Sequence, residues 1–204
     1  MHRVVLATRN AGKIAELRRI FEEVAQGSID LIGLEDFPDL IDVEETGQTF
    51  EENALLKAGS FCRETGLPAI ADDSGLSIDA LNGSPGIFSA RWSGVHGNDG
   101  ANIAKVLAEL HDLPNLPRSA HFTCVTAFVM PGGSAVTREG ILAGLILNQP
   151  VGENGFGYDP IFLPDGSKIS LAQMDAVAKD TISHRGRSVR AIAPLVTSML
   201  GGLG

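Results

Sequence analysis

Leu67-Pro68-Ala69-Ile70-Ala71-Asp72-Asp73-Ser74-Gly75-Leu76 is the stretch on which the reading of this chain turns. Its apolar first half reads as the end of a buried strand. Two carboxylates then arrive together, followed by a hydroxyl and a glycine. A strand end presents charge rigidly, and open α/β sheets bind ligands at such ends. If the strand runs on instead, adjacent residues fall on opposite faces, so one Asp can face a site while the other is structural. An Asp-Asp-Ser-Gly turn is the competing reading. The rest of the chain weighs against it by supplying the other parts of a phosphate site.

Upstream, Val4-Val5-Leu6-Ala7 is a short apolar strand, and Thr8-Arg9-Asn10-Ala11-Gly12-Lys13 is polar and turn-prone. Ile14, Leu17, Ile20, Phe21 and Val24 then recur at helical spacing. The order strand, loop, helix sets the N–H groups and positive dipole end of that helix beside Asn10 and Lys13, which is anion-site geometry. It is not a Walker loop, because Lys13 is followed by Ile14. An Asn-capped helix with a solvated lysine explains this segment equally well. Asp42 to Glu45 forms an acidic run, either a solvated loop or a second carboxylate source for a divalent ion. Thr49 with Glu52 three residues on is a capping box. The helix it opens carries Phe50, Ala54, Ala58 and Phe61 on one face, and Gly66 and Pro68 stop it.

Downstream, Asn82-Gly83-Ser84-Pro85-Gly86 is a turn cluster, and Asp99 is the expected cap of a helix bearing Ile103, Val106, Leu107 and Leu110. His121 to Met130 and Ala135 to Ile146 read as hairpin arms around Pro131-Gly132-Gly133. His121 takes no role beyond its strand. In Gly152 to Pro160 the glycines let backbone approach a ligand, and an aromatic, Phe156 or Tyr158, is a platform for a flat base. An ordinary Gly-rich connection with one aromatic packed inward is the competing reading. Lys179, His184, Arg185 and Arg187 then form a local cation cluster suited to polyphosphate or a base edge, unless it merely complements acidic surface. Ser183 is the expected cap of a last helix, Ser188 to Leu200, kinked at Pro194.

The net charge of −9 over 204 residues excludes a protein that binds nucleic acid or membrane surfaces through a broad basic face. An anionic ligand must instead be met by a few local cations, backbone N–H groups or a metal. The two cysteines, Cys62 and Cys124, sit in apolar stretches without CxxC spacing and read as reduced, buried thiols of a cytoplasmic protein. No signal peptide or membrane-length apolar run is evident.

Six segments together resemble the inosine triphosphate pyrophosphatase family, the XTP/dITP diphosphatases. They are Thr8-x-Asn10-x-x-Lys13, Glu44-Glu45-Thr46-Gly47-x-Thr49-Phe50-x-Glu52-Asn53-Ala54, Ala71 to Leu76, Pro85-Gly86-Ile87-x-Ser89-Ala90-Arg91, Gly155 to Pro160, and Ser183-His184-Arg185-Gly186. Each alone is weak; their order and spacing make the set specific over nearly the whole chain. The resemblance implies an α/β fold, a central mixed sheet flanked by helices, with residues 1–204 forming one two-lobed domain around a nucleotide cleft, and a homodimer. It implies Mg²⁺-dependent hydrolysis of deaminated purine triphosphates (ITP, dITP, XTP) to the monophosphate and pyrophosphate. By resemblance, Thr8, Arg9, Asn10, Ala11, Gly12 and Lys13 hold phosphates, Glu44 and Asp73 serve the metal, and Asp73 is the base. Ser74, Phe156, Gly157, Tyr158, Asp159, Lys179, His184 and Arg185 contact the nucleotide. Arg9 and Trp92 stand where relatives often carry Gly and Tyr.

Physical chemistry agrees with that assignment. A carboxylate can orient or deprotonate a water for in-line attack on the α-phosphorus, while Lys13 and Lys179 offset charge on departing pyrophosphate. His184 and Arg185 are candidate donors to the 6-oxo group of inosine and xanthine. A sibling pyrophosphatase of different base preference, a non-catalytic nucleotide sensor and a phosphate-binding structural protein are the alternatives; a substrate panel separates the first, binding without pyrophosphate release the second, and the lack of saturable nucleotide binding the third.

Overall fold

A computed structural model describes residues 1–25 and 27–201. Its regular elements are β1 His2–Leu6, α1 Ala11–Ala25, β2 Ile29–Ile32, α2 Phe50–Thr65, β3 Ala69–Ile78, α3 Asp99–His111, β4 Ser119–Val129, β5 Ala135–Ile146, β6 Phe162–Pro164, α4 Ala176–Ile182 and α5 His184–Gly201. The strands form one mixed six-stranded sheet in the order β2-β1-β3-β4-β5-β6. β1 pairs parallel with β2 and with β3, and β5 pairs antiparallel with β6. The chain divides into two compact units: Met1–Asp73, Cys124–Gly140 and the chain from Arg185 onward form the first, and Ser74–Thr123 with Ile141–His184 the second.

In the first unit, strand alternation sets the layers. Val4, Leu6, Ile70, Phe128 and Met130 point to one side of the sheet, where Leu17, Ile20 and Phe21 of α1 and Val189, Ile192 and Val196 of α5 cover them. Val5, Ala7, Ala69, Ala71 and Ala127 point to the other, under Ala54, Ala58 and Phe61 of α2. Burying each Val, Leu, Ile or Phe stabilises by roughly 1.5–3 kcal/mol. Thr49 caps α2 as expected, its Oγ1 accepting from Glu52 N at 3.1 Å. The return bond from Glu52 lands one residue early, on Gln48 N. Gly66, at φ 68, closes the helix in the left-handed conformation an L side chain avoids.

In the second unit, Leu76 and Ile78 of β3, Ala120 and Phe122 of β4, and Leu142 and Ile146 of β5 face Val106 and Leu110 of α3, together with Tyr158, Ile161 and Leu171.

Four expectations change. β3 does not end at the acidic pair but continues through Asp72-Asp73-Ser74-Gly75, so neither a strand end nor a turn sits there. Asn98 rather than Asp99 caps α3, because its Oδ1 accepts from Ala101 N at 3.1 Å. α5 begins at His184, four residues before the expected start, and Ser183 ends the short α4 that precedes it. β2 and α4 carry no strong periodicity and were not expected.

Candidate active site

Because β3 runs on, its alternation separates the two carboxylates. Ile70 belongs to the α1/α5 face and Ala71 to the α2 face. Asp72 therefore falls to the first and Asp73 to the second, and their partners agree. Asp72 Oδ2 meets Lys13 Nζ of α1 at 3.0 Å and Arg185 Nε and Nη2 of α5 at 3.2 and 3.1 Å. Cys124 Sγ donates to the same oxygen at 3.7 Å. The remaining Arg185 nitrogen, Nη1, donates to Glu16 of α1. Two cations thus balance two carboxylates in a set where Asp72 and Arg185 are each 1% exposed. The N-terminal part of α5 is seated by Ser188, whose Oγ accepts from Thr126 N at 3.0 Å and donates to the Arg138 carbonyl at 2.8 Å.

On the other face, Asp73 Oδ2 accepts from Asn53 Nδ2 at 3.2 Å, and Lys57 Nζ lies 3.3 Å from Asp73 Oδ1 and 2.7 Å from Glu45 Oε1. The Lys57 ammonium is shared between these two carboxylates. The electrostatics follow. Burial would raise the Asp72 carboxyl, but Lys13, Arg185 and Lys57 hold it well below the usual carboxylate range. Burial raises Asp73; Lys57 and Lys13 oppose it only in part, and Glu45 adds to the rise. Cys124 is pushed up to about 12 by burial and by Asp72, so it stays a thiol. The two neighbouring carboxyl groups are thus driven apart, Asp72 held as a charge and Asp73 binding a proton more readily than a free aspartate.

Among the described residues no group of three or more His, Cys, Asp or Glu side chains is gathered as a metal site, so the Asp73 side offers a carboxylate pair. Asp73 and Glu45 offer the oxygen donors that hard divalent ions take. Asp72 Oδ1 is buried with no hydrogen-bond partner among the described residues, but it belongs to the carboxylate on the other face and does not add to this pair. Glu44, expected as a metal ligand, is exposed. Its neighbour Glu45 is the one paired with Lys57, the ammonium it shares with Asp73.

The Thr8–Lys13 segment forms the expected helix start. Thr8 Oγ1 accepts from Asn10 N at 3.2 Å, and Asn10 Oδ1 caps α1 by accepting from Lys13 N at 3.0 Å. Arg9 is turned away onto Asp42 and the Leu40 carbonyl. Ala11 and Gly12 form the first turn.

In the second unit, Asp159 ties the Gly-rich loop together. Its Oδ2 accepts from Phe156 N at 2.9 Å and pairs with buried Lys179. A Cβ at Gly155, where φ is 76, would run into that carboxylate. The Lys179 ammonium lies 4.7 Å from the centroid of the Phe156 ring. Gly157 N donates to Asp99 Oδ2 at 2.7 Å. Tyr158 is core: it is 4% exposed, and its hydroxyl donates to the Ser89 carbonyl at 2.8 Å. His184 is buried and stacked on Phe122, with centroids 4.6 Å apart and planes at 9°. Ser74 is half-buried in β3.

One expected role does not fit. Arg185 was read as a donor to a base edge, but its Nε, Nη1 and Nη2 all serve Asp72 and Glu16, and its side chain is 2% exposed. Glu16 and Lys57 were missed. Each had a signal: Glu16 interrupts the apolar face of α1 at i+3 from Lys13, and Lys57 stands at i+4 from Asn53.

The Ham1 family model matches residues 4–195. The chain belongs to the Ham1 family. Among Ham1 relatives, the dITP/XTP pyrophosphatase of Streptomyces avermitilis is 52% identical over 201 residues, covering 98% of this chain and 100% of its own. That of Nocardia farcinica is 50% identical over 199 residues, covering 98% and 97%. The solved HAM1 protein from Coxiella burnetii is 40% identical and superposes with a TM-score of 0.86 over 97% of this chain and 100% of that one. The solved nucleoside-triphosphatase/dITP/XTP pyrophosphatase from Mycobacterium abscessus is 47% identical, with a TM-score of 0.75 over 95% and 99%. The Ham1 fold is thus shared by both comparisons, and the motif-based expectation of family and sheet architecture holds.

Proposed function

We propose that this chain hydrolyses deaminated purine nucleoside triphosphates, ITP, dITP and XTP, to the monophosphate and pyrophosphate. The observation that carries the reading is the division of Asp72 from Asp73: one carboxylate is locked ionised between Lys13 and Arg185, the other is raised. Asp73 takes the proton of a water that attacks the α-phosphorus, the work a raised carboxylate does best. Lys13, held by Asp72 with 15% of its side chain exposed, meets phosphate oxygens together with the first N–H groups of α1. Asp73 and the Glu44–Glu45 pair supply the oxygen donors for Mg²⁺. When bound, the ion offsets phosphate charge and polarises the reacting centre. Phe156, Lys179 and His184 serve the nucleotide. With no membrane-crossing helix among the described residues, a cytoplasmic nucleotide-pool role is proposed too.

Pyrophosphate release from a panel of purine and pyrimidine triphosphates, with and without Mg²⁺, tests the reading. ITP, dITP and XTP are expected to turn over well ahead of ATP and GTP, and chelation is expected to stop turnover. Equal rates across the panel, or full activity after exhaustive chelation, contradicts it.

The pH profile carries a second expectation. Asp73 must be ionised to accept a proton, and burial raises it above the ordinary aspartate value of 3.8. Activity therefore falls as pH drops through a value above 3.8. Lys57 is the first of the cations holding that value down, so Lys57→Met moves the acid limb of kcat/KM to higher pH. A limb that stays put or moves down refutes the assignment.

We also propose a homodimer. In the second unit Ile141 and Leu145 of β5 are 42% and 46% exposed, and Leu145 pairs with Leu163 of β6, so an apolar strip stands on the solvent side. Light scattering should give twice the chain mass, and Leu145→Lys should give the monomer. A monomer for the unsubstituted chain ends the proposal.

A further inference from the structure

Arg9 lies inside the phosphate-loop motif yet does something else in this structure. Its Nε donates to Asp42 Oδ1 at 2.7 Å and its Nη2 to the Leu40 carbonyl at 2.8 Å. The guanidinium fork presents separate nitrogens in a fixed geometry, one to the carboxylate and one to the carbonyl two residues earlier. The segment so gripped needs fastening. Residues 40–47 adopt neither helix nor strand. Their far end is tied to α2, where Gly47 N donates to Asn53 Oδ1 at 2.8 Å and Glu45 pairs with Lys57 at 2.7 Å. Leu40 and Val43 pack partly against the α2-side core. Arg9 is the polar tether at the near end, Glu45 is part of the fastening at the far end, and Glu44 lies between the two.

We propose that Arg9 is a positioning residue: it latches the acidic segment to the Thr8–Lys13 loop within the first unit, and so sets where Glu44 and Glu45 stand. The proposal rests on the hydrolase reading above for its consequence, not for its geometry. It separates Arg9 from Lys13, which remains the phosphate-binding cation of that loop. Arg9 and Asp42 keep 42% and 71% of their side chains exposed, so the latch is a solvated ion pair of modest strength and is screened by salt.

The alternative is a phosphate ligand resting on Asp42 until substrate arrives, and the two roles give opposite signs at Asp42. If Arg9 is a latch, Asp42→Asn loosens the segment and lowers kcat/KM, as Arg9→Ala does. If Arg9 is a ligand, Asp42→Asn releases it and lowers KM, while Arg9→Ala raises KM. Hydrogen exchange of amides 41–46 in the nucleotide-free protein gives a readout independent of turnover. A solvated ion pair predicts exchange about two- to five-fold faster in Arg9→Ala and in Asp42→Asn at low salt. The double variant should be no faster than either single one, since both remove the same contact. The swapped pair, Arg9→Asp with Asp42→Arg, should recover part of the protection, and 1 M salt should erase the differences. Unchanged exchange in Asp42→Asn together with a lowered KM overturns the proposal. Should the unsubstituted chain release no pyrophosphate, the reaction assignment fails, and the exchange data alone still judge the latch.

Discussion

Asp73→Asn is expected to lower kcat for pyrophosphate release from ITP by about 10²–10⁴-fold, the usual contribution of a positioned proton acceptor. The amide keeps the size of the side chain but has one acceptor where Asp73 uses two, for Lys57 at 3.3 Å and Asn53 at 3.2 Å, so it keeps only one of these contacts. It cannot take a proton, and it offers a cation less charge. Burial already disfavours the charged form of Asp73, so neutralising it removes a cost rather than a support. The unfolding midpoint should therefore hold or rise while turnover collapses. Stopped turnover with an unchanged urea midpoint is the expected pair of results; near-normal release from this variant removes Asp73 from the chemistry.

Arg185→Ala should do the reverse, acting first on stability. The guanidinium stands between Asp72 and Glu16, both buried, and its loss takes a cation from each, leaving Asp72 to Lys13. Breaking a buried pair by removing one partner costs about 3–5 kcal/mol. A domain holds only about 5–15 kcal/mol in total, so the urea midpoint should drop steeply. Arg185→Lys retains the charge but cannot bond both carboxylates in one plane, and should fall between the two. What activity remains should be lowered for ITP and ATP alike, because the side chain serves Asp72 and, through it, Lys13. If Arg185→Ala keeps the normal midpoint and instead narrows the ITP-to-ATP ratio, the guanidinium reads the base after all.

Much of the fold was legible because its signals are local. The strand–loop–helix opening, the Thr49 cap and the Gly132-Gly133 hairpin each follow from a few adjacent residues. β2 was not legible: at four residues, with one buried, it leaves no alternation to count. α4 spans seven residues, two short turns, and carries no period. The continuation of β3 was obscured by composition, since Asp, Ser and Gly favour turns when nothing else is known. Its consequence was nonetheless available: once the strand runs on, period-two alternation sends Asp72 and Asp73 to different faces without further information.

The site was legible in its residue types and less so in its roles. Lys13 and Asp73 were picked out by type, and the structure pairs the first with Asp72 and the second with Asn53 and Lys57. Arg185 could not be assigned, because its partner Asp72 lies 113 residues earlier and nothing local shows where a long side chain turns. Tyr158 looked like a base platform for the same reason that it is core, being a large aromatic in a glycine-rich loop. Lys57 and Glu16 each needed the helix face to be read for charge as well as for apolar residues.

The central claim is that the titrations of two adjacent carboxyl groups are driven in opposite directions by the opposite faces of one strand. A carbon-detected NMR titration of the aspartate side chains in the metal-free protein tests it most directly. The account predicts that Asp73 titrates above 3.8, and that Asp72 stays ionised throughout the range in which Asp73 gains its proton. Asp72 titrating at or above Asp73, or the two titrating together, contradicts it.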